Sequence, residues 1–143
     1  METQDIDLYN SIYRTASMGS ESISQILPEV TAAPLRSELS EQLKCYHNDK
    51  NKIVSEMRKA GISPSPLPAV KKLMSKVGTA VELAGDSGSR HIAEMMIQGS
   101  NMGIIGLNKA LNSDRNAPAP VVRQAQDMLD SEQKYIDRLK KYL

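Results

Sequence analysis

The placement of proline is the sequence feature that most constrains how this chain can fold. Its seven prolines form three groups, which are Pro28 and Pro34, then Pro64, Pro66 and Pro68, then Pro118 and Pro120. Proline has no backbone N–H and is tolerated in a helix only within the first turn, so each group marks a boundary between helices. The segments between the groups have apolar residues at helical spacing and no strand-like alternation. The sequence therefore predicts an all-α protein.

Helical periodicity covers five segments, 5–30, 34–60, 67–84, 88–111 and 118–143. Only about three residues separate the first two segments, and a short SDRNA turn separates the last two, so both pairs are expected to be antiparallel. The link from Gly61 to about Ser87 is long enough to run the length of a helix of about 25 residues, roughly 37 Å. We predict one domain over residues 1–143, a four-helix bundle with a long crossover between the second and third long helices. The crossover carries the extra short helix, and residues 67–111 form either one bent helix or two.

Composition excludes several classes of protein. The chain has 18 Lys and Arg against 17 Asp and Glu, and it has neither Phe nor Trp, which argues against nucleic-acid binding. Its single cysteine, Cys45, rules out an internal disulfide. The sequence has no apolar run of about 18 residues, no basic and apolar signal segment at its start, and no phosphate-binding or nucleophile motif. We therefore expect a cytoplasmic, non-enzymatic protein that does not insert into membranes.

Polar residues interrupt the apolar stripes near the middle of the helices. Gln42 and Tyr46 lie between the apolar ends of the second segment, and Glu132 occupies a central stripe position in the last one. A buried carboxylate costs several kcal/mol unless it is paired, hydrogen-bonded or neutral. We therefore expect Glu132 to accept a hydrogen bond from Tyr46 or Gln42, or to pair with Lys50. Counting from the helix ends predicts one polar layer, made of Ser20, Gln42, Tyr46, Glu94, Gln98 and Glu132.

Helix lengths, short–long–short connections and a polar middle layer make the chain resemble the ferritin-like four-helix-bundle superfamily. The segments YRTASMG and HIAEMMIQGSNMGI are similar to small ferritin-like families of anaerobic Gram-positive bacteria. Members with a di-metal centre take one Glu from each of two helices and a Glu-x-x-His pair from each of the other two. Here Gln42 stands in a glutamate position, Tyr135 follows Glu132 where a histidine is required, and His91 precedes Glu94 in reversed order. The resemblance therefore implies a bacterial member of the superfamily without a complete di-iron ligand set.

Three functions remain compatible with the sequence. The leading one is association, as a homodimer or larger oligomer or with a protein partner, because the segment 91–111 is apolar or small over more surface than one core covers. Its ridge of Gly99, Gly103, Gly106 and Ala110 packs either inside the monomer or at a dimer contact. The alternative is a reduced metal site for Fe, Mn or Zn formed by Glu132, Glu94 and His91, with Gln98 beside it. The third is a carrier of a small apolar ligand in the gap near Ala16, Gly19 and Ser20.

Overall fold

In the computed structural model, residues 3–64, 88–114 and 116–143 of the chain are described. This part contains four α-helices, α1 (Thr3–Ile26), α2 (Ala33–Ala60), α3 (Gly88–Ser113) and α4 (Ala119–Leu139). Single 3-10 turns follow α1 at Leu27–Glu29 and α4 at Lys140–Tyr142. The all-α prediction is confirmed for the described residues. The short helix predicted at 67–84, and the question of its continuity with α3, fall outside them.

The helix ends follow the proline and glycine pattern with small shifts. Pro34 lies in the first turn of α2, where its missing N–H costs no hydrogen bond. Gly61 closes α2 in the left-handed conformation, with φ of 71°. Two boundaries differ from the prediction: α1 ends at Ile26 because Pro28 stands in the 3-10 turn that follows, and Pro118 is the N-cap of α4 rather than part of its first turn.

The core consists of two clusters of buried side chains, one toward each end of the bundle. One cluster combines the C-terminal parts of α1 and α4 with the N-terminal parts of α2 and α3, including Ile23, Ile26, Leu35, Leu39, Ile92, Ala93, Tyr135 and Leu139. The other combines the opposite ends, including Leu8, Ile12, Ile53, Met57, Leu107, Val121, Ala125 and Met128. Helix α1 is therefore antiparallel to α2 and α3, and α2 is parallel to α3. Consequently, α2 ends and α3 begins at opposite ends of the bundle.

The buried face of α4 is rotated from the predicted stripe. Val121 and Met128, which the sequence placed beside the stripe, are 0 % and 2 % exposed, whereas Val122 and Leu129 are only half-buried. Leu143, predicted at the end of the stripe, is 57 % exposed. The reason is that α4 packs against α3, α2 and α1, so its buried face follows several neighbours rather than one seam. None of the described helices has a stretch that is long and apolar enough to span a membrane.

Glycines set the separation between α1 and its neighbours. A Cβ on Gly103 would lie 3.0 Å from Cγ2 of Thr15, and one on Gly106 would lie 3.6 Å from Oγ of Ser11, so both glycines face α1 within the monomer. Gly99 meets nothing within 4 Å. Of the predicted ridge, Gly103 and Gly106 therefore pack against α1 inside the monomer.

Tyr46 approaches the backbone of α1 closely at Gly19. A Cβ on Gly19 would lie 2.5 Å from Cε2 of Tyr46, closer than real side chains pack. On its other side the Tyr46 ring meets Tyr135 edge-on, with ring centroids 5.4 Å apart. The sequence expectation that small residues in α1 admit a close neighbour is met by this ring.

Alanine substitutions at Gly19 and Gly99 are expected to have effects of opposite sign. Both glycines lie in helix interiors, where alanine is favoured by about 1 kcal/mol. At Gly99 a Cβ enters open space, so Gly99→Ala should stabilise the protein by up to about that amount. At Gly19 the Cβ displaces the Tyr46 ring, so Gly19→Ala should destabilise by about 1–3 kcal/mol. Urea unfolding of both variants measures the difference, and equal effects would contradict the close approach of Tyr46.

Candidate functional site

A cavity of about 220 Å³ lies between α1 and α3 and reaches side chains of α2 and α4. Its walls are mainly apolar and its outer rim includes the exposed residues Arg14 and Gln98. Of the glycines that line it, Gly99 is the one at which a Cβ would meet no described atom within 4 Å. The lining combines four methionines, Met18, Met95, Met96 and Met102, with Gly19, Gly99, Gly103 and Gly106.

The inner wall of the cavity carries a buried carboxyl group. Glu132 is 1 % exposed, and the hydroxyl of Tyr46 donates a 2.7 Å hydrogen bond to its Oε1. This bond confirms the first of the partners that the sequence predicted for Glu132. The Lys50 ammonium lies over the ring of Tyr13 instead, 5.7 Å from its centroid. Within the described ranges, none of the salt bridges involves Glu132.

Two polar atoms on this wall have no hydrogen-bond partner among the residues that the structure describes. They are Oε2 of Glu132 and Nε2 of Gln42, and both residues line the cavity while being at most 2 % exposed. Buried polar groups in folded proteins are nearly always paired with protein or with ordered water. The cavity therefore presents one carboxyl oxygen and one amide N–H that are available to a molecule entering it.

Burial controls the protonation of this site. It raises the pKa of Glu132 to about 7, and the neighbouring hydroxyls of Ser100 and Tyr46 oppose this rise, while the charge of Asp49 adds to it. Burial also raises the pKa of Tyr46 well above its ordinary value, so this hydroxyl stays protonated and remains a donor. The carboxyl of Glu132 is thus balanced between its neutral and charged forms near neutral pH.

The structure assembles part of the predicted polar layer. Gln42, Tyr46 and Glu132 come together at the cavity, as the helix counting predicted. The buried polar residue that α3 contributes is Ser100, which the sequence analysis did not include in the layer. The available signal was its position: Ser100 is the hydroxyl residue on the broad apolar face of the segment 91–111.

Other predicted members of the layer lie elsewhere. Ser20 is buried, but its hydroxyl donates to the backbone carbonyl of Ser17 at 3.1 Å and the residue does not line the cavity. Gln98 lines the cavity from its exposed rim rather than from its interior. Glu94 is exposed and does not line the cavity, because at 100° per residue it points about 120° away from Ser100 on α3. Glu94 therefore does not belong to the polar layer that contains Glu132.

The predicted metal ligands are likewise separated. Glu132 faces the cavity, whereas His91 and Glu94 occupy the outer stripe of α3, half-buried and exposed respectively. In the part of the chain that the structure describes, no three His, Cys, Asp or Glu side chains group as a metal site. The site for Fe, Mn or Zn remains a prediction without a common location for its three ligands.

The cavity has the groups needed to hold a small molecule. Its apolar walls can enclose a hydrocarbon group, and its inner wall offers a carboxyl oxygen and an amide N–H to a polar group. No known protein family, curated protein or solved structure matches the chain. The interpretation of function therefore rests on the cavity itself.

Removal of the Glu132 charge should change how stability depends on pH. The pKa of this carboxyl is about 7 in the fold against 4.5 in its ordinary environment, so between these values only the unfolded chain ionises. The free energy of unfolding should therefore fall by about 3 kcal/mol as pH rises from about 4.5 to about 7, and change little from this group above that. In Glu132→Gln this fall should disappear, and the variant should be more stable than the parent at about pH 8, since the amide oxygen still accepts from Tyr46.

Urea unfolding at a series of pH values measures this difference between the two proteins. Burial also raises the pKa of Asp49, to about 6, so the parent and the variant share that contribution and only their difference reports Glu132. The control is Glu94→Gln, which removes an exposed carboxylate from α3. An unchanged pH dependence in Glu132→Gln would show that this carboxyl is not buried as described.

Proposed function

We propose that this chain is a non-enzymatic helical bundle that binds a small, mostly apolar molecule in the cavity between α1 and α3. The observation that carries the proposal is the combination of apolar walls with two unpartnered buried polar atoms, on Glu132 and Gln42. An unpaired buried polar group costs about 1–3 kcal/mol, which an occupant that pairs with it would recover. An apolar cavity of about 150 Å³ is large enough for benzene. The larger volume here, about 220 Å³, suits a single ring with a short substituent.

The methionines of the lining support this function. Met18, Met95 and Met96 line the cavity from two different helices and are half-buried. Methionine is unbranched and has three rotatable bonds, so it adapts to occupants of different shape and makes favourable contacts with aromatic rings. A wall of this kind favours a binding site that tolerates several related molecules.

We also infer that the bundle is ferritin-like in its connectivity, without the di-iron chemistry of that superfamily. The inference is supported by the antiparallel pairs α1–α2 and α3–α4 and by parallel α2 and α3, whose connected ends lie at opposite ends of the bundle. In this arrangement the middle level holds Gln42 and Tyr46 on α2 with Glu132 on α4. The polar layer that carries metals in such bundles would here serve a cavity.

Binding of toluene, titrated by NMR of methyl-labelled methionines, tests the proposed function. The methyl signals of Met18, Met95 and Met96 should shift in a saturable manner because these side chains line the cavity. Met57 and Met128, which are buried in the core cluster at the other end, should not shift. Uniform shifts of all five methionines would indicate non-specific association and would contradict the proposal.

A variant whose cavity is filled by a larger side chain provides a second test of toluene binding. Met96→Trp should occupy the space and abolish the toluene shifts of Met18 and Met95, at a cost of about 1–3 kcal/mol for overpacking. The matched control is Asn101→Trp, which places the same side chain at an exposed position of α3 that does not line the cavity. Retained shifts in Met96→Trp would place the binding elsewhere.

A second candidate function is self-association through α3. Met102 and Ile105 are 63 % and 55 % exposed and lie three residues apart, so they form neighbouring apolar positions on the surface of this helix. If a dimer covers them, sedimentation at micromolar concentration should show a dimer for the parent protein and a monomer for Ile105→Glu. A monomeric parent protein at that concentration would eliminate this function.

A further inference from the structure

We propose that the molecule taken up by the cavity is a protonated amine, with a compact apolar body between α1 and α3 and its ammonium group against Glu132. The inference rests on the proposed function and adds the chemical class of the ligand. It follows from which charges and hydrogen-bonding atoms surround the inner wall.

Among the described residues, no cation pairs with the carboxyl of the inner wall. Glu132 takes part in none of their salt bridges, and the Lys50 ammonium lies over the ring of Tyr13. The cation that lines the cavity is Arg14 of α1, and it is an exposed residue of the rim. The groups that act on Glu132 from the elements packed around it are acidic or neutral, namely Tyr46 and Asp49 of α2, Ser100 of α3 and Tyr135 of α4. A ligand ammonium would supply the missing positive charge.

The hydrogen-bonding atoms match an ammonium group as well. The Tyr46 hydroxyl donates to Oε1 of Glu132 and leaves Oε2 as an acceptor. The Ser100 hydroxyl neighbours the same carboxyl and can accept a second N–H. Half a turn of the Gln42 amide exchanges its unpartnered N–H for its carbonyl oxygen, which gives a third acceptor. An ammonium has three N–H donors, so each of them has an acceptor.

The charge balance favours an amine over a neutral molecule of the same shape. Transfer of an ammonium out of water is costly, and a carboxylate at contact distance in a site of low dielectric offsets that cost. Because the pKa of Glu132 is about 7, deprotonation of this carboxyl near neutral pH costs little free energy when a cation binds beside it. Amine affinity should therefore increase as pH rises through about 7, whereas an alcohol or hydrocarbon should show no such dependence.

Three probes of nearly equal shape test the inference: benzylamine, benzyl alcohol and toluene. Their affinities are measured from the methyl signals of Met18, Met95 and Met96 at about pH 8, where an alkyl amine is protonated. Benzylamine should bind about tenfold more tightly than benzyl alcohol or better, because a charge-assisted hydrogen bond replaces a neutral one. In Glu132→Gln its affinity should fall to that of benzyl alcohol, while toluene binding stays unchanged and shows that the cavity is intact.

The control variant and the remaining outcomes separate the two proposals. Glu94→Gln removes a carboxylate outside the cavity and should leave all three affinities unchanged. An equal loss of benzylamine binding in Glu94→Gln and Glu132→Gln would mean that surface charge attracts the amine, and the inference would be overturned. Binding of toluene and benzyl alcohol without a preference for benzylamine would overturn the inference and leave the proposed function standing. If none of the three probes shifts the cavity methionines, both proposals fail.

Discussion

The hydrogen bond from Tyr46 to Glu132 joins α2 to α4 at the level between the two apolar clusters, and the middle of the bundle is organised around it. The Tyr46 ring can reach this carboxyl because Gly19 removes the side chain that would otherwise stand between α1 and α2. The same ring meets Tyr135 of α4 edge-on, which fixes its orientation. The Tyr46 side chain of α2 thus contacts both α1, at Gly19, and α4, at Tyr135 and Glu132.

The cavity is the consequence of this organisation. Glycines on the facing surfaces of α1 and α3 bring the backbones close at Gly103 and Gly106 and leave space next to the Tyr46–Glu132 pair. No cation pairs with this carboxyl among the described residues, so the proposed ligand would link its protonation to the occupancy of the cavity. The Glu132 carboxyl is costly to bury, and it lies beside a cavity that has room for another molecule. A perturbed carboxyl next to an apolar cavity is typical of a binding site.

The sequence predicted those features of the site that depend on neighbouring residues of one helix, and missed those that depend on how helices pack. Tyr46 could be named in advance as one of three possible partners of Glu132, because both residues interrupt apolar stripes near mid-helix and an unpaired buried carboxyl is costly. Ser100 was missed because its one signal, a position on the apolar face of the segment 91–111, is shared by small residues that only pack there. Glu94 was included wrongly in the layer because counting residues from helix ends gives a height along the axis but no rotation about it. The rotation of α3 is set by its contact with α1 at Thr15 and Ser11.

By itself the sequence determined the four long helices and most of their ends, since proline, glycine and helical periodicity act within a few residues; it narrowed the partner of Glu132 to Tyr46, Gln42 or Lys50. The tertiary structure alone decided which face of each helix points inward, that the glycines of α3 pack against α1, and that a cavity remains beside the buried carboxyl. These three features depend on how side chains from separate helices fit together. The free energy of that packing belongs to two helix surfaces in contact, so the sequence of one helix does not specify it.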